Sequence, residues 1–286
     1  MLQTRSLSYA VGGRALVEKA SLDVRPGSLT VVIGPNGAGK TTLVRMLSGE
    51  LRPTAGRLTL DGRPLRAFSA RELALRRAVV PQAAQLTFPF TVEEVVLLGR
   101  TVPGLDDPGP ARALCRTALE RVGLLDLAGR SYTALSGGER QRVHLARAFA
   151  QLGDWRRDDG TTLLFLDEPT SNLDLAHQLS ILREVRKDVA EGLAVVAVLH
   201  DLNLASCFAD RIILMSAGRI ARVGPPPEIF RDEVLSTVFG CVVRANVTPA
   251  PDVPFVLPQA CGETGRRGTP TPAPRRPASS GATPNT

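Results

Sequence analysis

Residues 34–42, GPNGAGKTT, carry the spacing G-x-x-x-x-G-K-[S/T]. The stretch lies between an apolar run, LTVVIG, and a helix-forming run, KTTLVRMLSG, which is the setting a phosphate-binding loop requires. Gly34 and Gly39 let the backbone turn tightly and aim N–H groups at phosphate oxygens. Lys40 adds a point charge for the outer phosphates, and Thr41 supplies a hydroxyl to Mg²⁺. Further on, TTLLFLDEP ends an apolar run with Asp167 and Glu168. Acids at the carboxyl end of a parallel strand stand where ligands bind in open α/β sheets. Asp167 suits the Mg²⁺ shell, and Glu168 can orient and polarise a water for attack on a γ-phosphate. His200 closes the next apolar run, LAVVAVLH, beside those acids and within reach of a γ-phosphate. Gln82 follows another run, in VVPQ, where a polar side chain could reach either Mg²⁺ or the attacking water.

A second stretch, ALSGGERQRVHLARAFA, is also suited to an anion. Ser136 and Glu139 fit the S-x-x-E capping box of a helix start. A cap alone does not explain the adjacent Gly137 and Gly138, which cost helix stability wherever they lie within the helix. Close approach of another group to the backbone does explain them, and a helix N-terminus favours a negative one. The chain therefore holds two phosphate-ready elements about a hundred residues apart in sequence.

Positioning these groups takes an α/β framework. LTVVIG, ALRRAVVPQ, TTLLFLD, GLAVVAVLH and DRIILMSAGRIARVG read as strands separated by helices. Near-continuous apolar strands of this kind imply a mostly parallel sheet covered on both faces. RLTLDGRPL alternates around Asp-Gly and reads as an antiparallel hairpin. Residues 91–150 lack strand signals and read as a helical insertion, and residues 152–162, LGDWRRDDGTT, as a polar surface loop. From Pro249 onward the chain holds nine of its 22 prolines, a composition that buries too little apolar surface to order itself. A disordered tail is expected there.

Composition narrows the class. With 286 residues, 43% of them hydrophobic, the chain can bury one large core or two small ones. No apolar run reaches the ~18 residues of a membrane span, and the N-terminal residues lack a secretory pattern. Cys115, Cys207, Cys241 and Cys261 are scattered, which fits a reduced, cytoplasmic protein. The net charge is +7, but four arginines against one glutamate lie beyond residue 258. The remaining body is only mildly basic and shows no basic face with interleaved aromatics, so nucleic acid is not an expected partner.

In order along the chain, GPNGAGKTT, VVPQ, LSGGE, LLFLDEP, SNLD and LHD resemble the motif series of ATP-binding cassette ATPases over about residues 2–245. LSGGE between the phosphate loop and the acidic strand is the most specific of these. The resemblance implies a RecA-like phosphate-loop core, an antiparallel β subdomain and a helical subdomain at about residues 88–150, all within residues 1–248. It implies ATP and Mg²⁺ as ligands. Gly34, Pro35, Asn36, Gly37, Ala38, Gly39, Lys40, Thr41 and Thr42 would form the Walker A loop, and Tyr9 would stack on adenine. Gln82 would be the Q-loop glutamine, which meets Mg²⁺ and faces the transmembrane partner. Thr41, Gln82 and Asp167 would hold the metal, and Glu168 and His200 would be the catalytic glutamate and switch histidine. Ser136, Gly137, Gly138 and Glu139 would contact an ATP held by a second copy, with Asp174 in the D-loop between them. Asn172 departs from the commoner SALD pattern without removing Asp174.

The resemblance also implies a homodimer that drives two transmembrane permease subunits from the cytoplasmic face of the inner membrane. TFPFTVEEVV, LDLAHQ and the loop around Trp155 are similar to the iron-chelate, cobalamin and haem importer branch, most of all to its haem members. A periplasmic haem-binding protein would then be an indirect partner. Ferric siderophore and cobalamin are the alternative cargoes. A soluble cassette acting on ribosomes or DNA is a more distant alternative, since the chain has one cassette and no sustained heptads.

Overall fold

The structure, a computed structural model, describes residues 1–82, 86, 88–101, 108–153, 155, 160–171, 173–250 and 252–261. Two long strands, β1 (Leu2–Val11) and β2 (Arg14–Val24), open the chain as an antiparallel pair. The apolar strand β3 (Leu29–Ile33) runs into the loop at residues 34–39 and helix α1 (Lys40–Leu47). A hairpin follows, β4 (Ala55–Leu60) and β5 (Arg63–Pro64), turning at Asp61-Gly62 as expected. It completes a four-stranded antiparallel sheet of order β2-β1-β4-β5.

The strand expected over residues 74–80, stopped by Pro81, is confined to β6 (Arg77–Val80), because residues 70–76 form helix α2 (Ala70–Arg76). Ser69 and Glu72 close a capping box there: Glu72 N donates to Ser69 Oγ at 3.2 Å, and Ser69 N to Glu72 Oε2 at 2.6 Å. Helix initiation thus overrides the strand propensity of the following residues. Helices α3 (Val92–Leu97), α4 (Pro108–Arg121) and α5 (Gly137–Leu152) build the helical insertion. Strand β7 (Leu163–Asp167), helix α6 (Leu175–Ala190), strand β8 (Ala194–Val198) and helix α7 (Leu202–Phe208) return the chain to the core. A final hairpin, β9 (Arg211–Ser216) and β10 (Arg219–Gly224), precedes helices α8 (Pro226–Ile229) and α9 (Asp232–Phe239).

The second sheet has the order β10-β9-β3-β8-β7-β6 and is parallel except for β10. All five residues of β3, β7 and β8 are buried, and their side chains alternate between two apolar clusters. Val32, Phe165, Val196 and Ile213 face α1 and the antiparallel sheet. Val31, Leu164, Val195 and Ile212 face α6 and the helical insertion. This two-sided burial explains why these strands read as continuous apolar runs.

The helical insertion is fastened to the core at several points. Arg121 of α4 donates to the buried Asp188 of α6 at 2.8 Å, and its guanidinium lies 3.8 Å from the Phe149 ring centroid of α5. Arg100, just after α3, donates to the Ala150 and Gln151 carbonyls at the end of α5, both at 3.3 Å. Within the segment from Pro249 expected to be disordered, residues 258–261 contact the core. Pro258–Ala260 form a 3-10 turn against α7, and Arg183 Nη2 donates to Cys261 O at 3.0 Å. Residues 251 and 262–286 of that tail, residues 154 and 156–159 of the polar loop before β7, and Asn172 lie outside the described residues.

Phe165 sits mid-strand in β7 with no exposed surface. Phe165→Ala should lower unfolding free energy by about 3–5 kcal/mol, read as a shift in the chemical-denaturation midpoint.

Candidate functional site

The loop after β3 is held by its neighbours. A Cβ at Gly34, φ +147°, would stand 2.2 Å from Met215 O of β9. One at Gly39, φ +94°, would stand 2.5 Å from Leu16 O of β2. The loop is therefore wedged between two backbones, and only glycine fits either position. Helix α1 starts without a side-chain cap and with no acid in its first turn, which leaves its first N–H groups and dipole to a bound anion. Lys40 is buried, and its Nζ donates to Gly34 O at 2.9 Å and Pro35 O at 3.0 Å. Burial lowers its pKa, with Glu168 and Asp167 opposing that shift.

Strands β7, β8 and β6 lie side by side and deliver the remaining groups at their carboxyl ends. Asp167 is buried at the last residue of β7 and accepts from Thr41 Oγ1 at 3.2 Å. Burial raises its pKa, while the Thr41 bond pulls it down and Glu168 and Glu50 push it further up. A cation beside these two oxygens would offset that burial cost. Thr41 and Asp167 are hard oxygen donors, the kind Mg²⁺ takes from a protein while phosphates and water complete its shell. The residues present fit that ion.

Glu168 follows in a left-handed conformation, φ +54°. Such a backbone is costly for a non-glycine residue and persists only where its surroundings hold it. Ser171 supplies part of that hold, its N and Oγ donating to Glu168 O at 3.2 Å and 2.9 Å. The Glu168 carboxylate has a partner on each oxygen. Gln82 Nε2 donates to Oε2 at 2.8 Å, and His200 Nε2 lies 2.6 Å from Oε1. An ionised carboxylate only accepts, so the His200 proton on that side must reside on Nε2. The strand expected to end at His200 closes at Val198, and His200 stands two residues beyond it. Asp201 fixes that turn by capping α7, accepting from Asn203 N at 2.7 Å and Leu204 N at 3.1 Å. The sequence reading did not single out Asp201 or Ser171; the Asp three residues before Leu204 is a cap signal that could have found the first.

Gln82, Glu168 and His200 are thus brought together, as are Thr41 and Asp167 beside Lys40. Asn36 and Gly37 are exposed on the loop, while Ala38 is buried beneath it. Thr42 lies in the first turn of α1. Tyr9 is half-buried on β1, opposite Val17, whose side chain lies against Gly39. It therefore borders the loop from the antiparallel sheet.

Ser136–Glu139 are placed differently. Glu139 N donates to Ser136 Oγ at 3.2 Å, and Ser136 N to Glu139 Oε2 at 2.7 Å, so the expected capping box is complete. The backbone N–H of Ser136, and then its side chain, lower the Glu139 pKa. A Cβ at Gly137 would meet nothing within 4 Å, so no packing among the described residues requires glycine there. Asp174 caps α6, its Oδ1 accepting from His177 N at 2.9 Å and lying 2.7 Å from His177 Nδ1. Both Asp174 and the start of α5 are outside the Glu168 bonding group.

A carboxylate, an imidazole and an amide aimed at one point beside a phosphate loop can transfer a phosphoryl group to water, the chemistry of phosphate-loop nucleoside triphosphatases. The family profile described as ABC transporter matches residues 17–171. A hemin import ATP-binding protein, HmuV, of Rhizobium meliloti is 46% identical over 91% of this chain and 99% of its own length. Its counterpart in Rhodopseudomonas palustris is 47% identical over 90% and 94%. A solved metal-chelate type ABC transporter in an inward-facing conformation superposes with TM-score 0.69 at 27% identity, covering 84% of this chain and 88% of that one. A nucleotide-free cassette shares the fold at TM-score 0.70, over 83% and 94% of the two chains. The chain belongs to the ABC transporter family, as an ATP-hydrolysing cassette subunit. No helix among the described residues is long and apolar enough to cross a membrane.

Glu168→Gln should keep ATP binding while lowering turnover about 10²–10⁴-fold, because the water loses its carboxylate. Equilibrium nucleotide binding and phosphate release measure the two separately. Near-normal phosphate release would exclude Glu168 as the base.

Proposed function

We propose that the chain powers a bacterial importer of haem. Two copies pair head to tail, so that each ATP lies between residues 34–42 of one copy and Ser136, Gly137, Gly138 and Glu139 of the other. The observation that carries the paired arrangement is the start of α5. Its cap is satisfied internally, yet Gly137 faces open space, and among the described residues no hydrogen bond ties its cap to the phosphate loop of its own chain. The cargo reading rests on the relatives called hemin import proteins, which match nine-tenths of the chain.

The residues then act in order. Tyr9 stacks on the adenine, and the loop N–H groups and the N-terminus of α1 receive the phosphates. Lys40 exchanges the Gly34 and Pro35 carbonyls for phosphate oxygens, which is favourable because its buried charge gains an anion. Thr41 and Asp167, with Gln82, would hold Mg²⁺, which when bound draws charge from the phosphate oxygens. Glu168 turns from its present partners to polarise the attacking water, and His200 moves its Nε2 proton towards the γ-phosphate. Asp174 stands at the face between the copies.

ATP can close the pair only if it binds the closed state more tightly, and the partner's Ser136 supplies such a contact. Closure would drive two transmembrane permease subunits, fed by a periplasmic haem-binding protein, with this subunit at the cytoplasmic face of the inner membrane. Hydrolysis would reopen the pair.

Gly137→Asp should spare ATP binding by the single chain and abolish ATP-driven dimerisation, because a carboxylate then meets the γ-phosphate. Size-exclusion chromatography with ATP in a Glu168→Gln background reads this; persistent dimers would overturn the composite site. For cargo, a deletion strain should lose uptake of haem while retaining ferric siderophore and cobalamin uptake. Retained haem uptake would refute the cargo reading.

A further inference from the structure

We infer that Gln151 is a positioning residue for hydrolysis, tying the helix that carries Ser136 to the strand that carries Gln82. Gln151 lies in the last turn of α5, and its Nε2 donates to Ala74 O at 3.0 Å and Arg77 O at 2.9 Å. Ala74 O is among the terminal carbonyls of α2, which the helix cannot satisfy itself. Arg77 opens β6, the edge strand of the parallel sheet. One amide group thus fastens α5 to both the entry and the first residue of β6. Five residues after Arg77 comes Gln82, bonded to Glu168.

The other end of the link is equally direct. Helix α5 has 16 residues and spans roughly 24 Å without a break, from the cap at Ser136 to Gln151. Arg100 also holds this end of α5, through the Ala150 and Gln151 carbonyls. When the start of α5 engages a phosphate, displacement of the helix is passed by Gln151 to β6, and so to the Gln82–Glu168 contact. No other described side-chain hydrogen bond joins α5 to β6. The inference rests on the reading of Gln82 and Glu168 as catalytic, and a double-mutant cycle separates the two.

ATP hydrolysis by the full chain is measured for wild type, Gln82→Ala, Gln151→Leu and the double variant. Gln151→Leu should lower kcat about tenfold, with KM for ATP changed less than about twofold. In the Gln82→Ala background the same change should cost less than about twofold, because its effect is transmitted through Gln82. Equal losses in both backgrounds, or no loss in either, overturn the inference and leave the reading of Gln82 intact. A normal rate in Gln82→Ala alone sinks both.

Two further readouts guard against simple misfolding. Amide exchange should quicken across residues 77–82 of Gln151→Leu while β3 stays protected; loss of protection in both would count against a local role. Gln151→Glu keeps the shape, but its ionised carboxylate cannot donate to the two carbonyls. Its rate relative to wild type should rise as pH falls, because the facing carbonyls favour the protonated carboxyl, which donates one hydrogen bond again. Parallel pH profiles would overturn the inference.

Discussion

The parallel pairing of β3, β8, β7 and β6 is the constraint on which the site depends. Val32 and Asp167 both pair with Val198, and Leu166 pairs with Val80. Neighbouring strands stand about 4.8 Å apart, so residues just beyond their ends fall within side-chain reach. Gln82, Glu168 and His200 come from positions far apart in sequence, and register alone makes them neighbours. A slip of one residue would turn every side chain of a strand to the opposite face. Here both faces are buried in distinct clusters, so a slip would misplace Phe165 and Leu164 together. The apolar core thus fixes the polar site.

The site itself is under electrostatic and conformational load. Asp167 is buried next to Glu168, and burial works against its charge. Lys40 is buried as well and takes its partners from loop carbonyls. Glu168 adopts a backbone conformation that glycine would accept more readily. Each of these features is offset locally by Thr41, by Gly34 and Pro35, or by Ser171. The partners are weak enough to exchange: neutral carbonyls for Lys40, one hydroxyl for Asp167. Phosphate and metal offer stronger, charge-assisted replacements. A fold that met these groups with full ion pairs would hold them too firmly for nucleotide to compete.

Much of this was legible in the sequence because the signals were local. The loop at residues 34–42 declares its phosphate chemistry through glycine spacing, and the apolar runs before Asp167 and His200 place those side chains at strand ends. Ser136 and Glu139 announce their helix start at the required separation. The Ser69–Glu72 box is an equally local signal, yet the neighbouring apolar run masked α2 by reading as one strand. What no local pattern carries is tertiary pairing. Nothing around Gln151 marks it as a clamp on β6, since Ala74 and Arg77 lie more than seventy residues away and offer only backbone carbonyls. The docking of residues 258–261 on α6 and α7 was hidden by proline-rich composition, which describes average tendency and not one anchored turn.

Under the proposed pairing, helix α5 would link the two phosphate-ready elements. Its first turn faces outward with an exposed, satisfied cap, and its last turn is bolted to the sheet. An anion bound at its start cannot be felt locally alone, because close-packed helices shift as units. The insertion is fastened to α5 by Arg100 and by the stacking of Arg121 on Phe149. Arg121 also reaches Asp188 of α6, the helix that Asp174 caps. In the proposed dimer, a partner's ATP at Ser136 would therefore bear on β6 through one end of the insertion and on α6 through the other. Strand β6 pairs with β7, which ends next to Glu168, and α6 is the helix that follows it. Hydrolysis in one copy would then depend on nucleotide in the other through packed elements with named contacts, without a separate signalling domain.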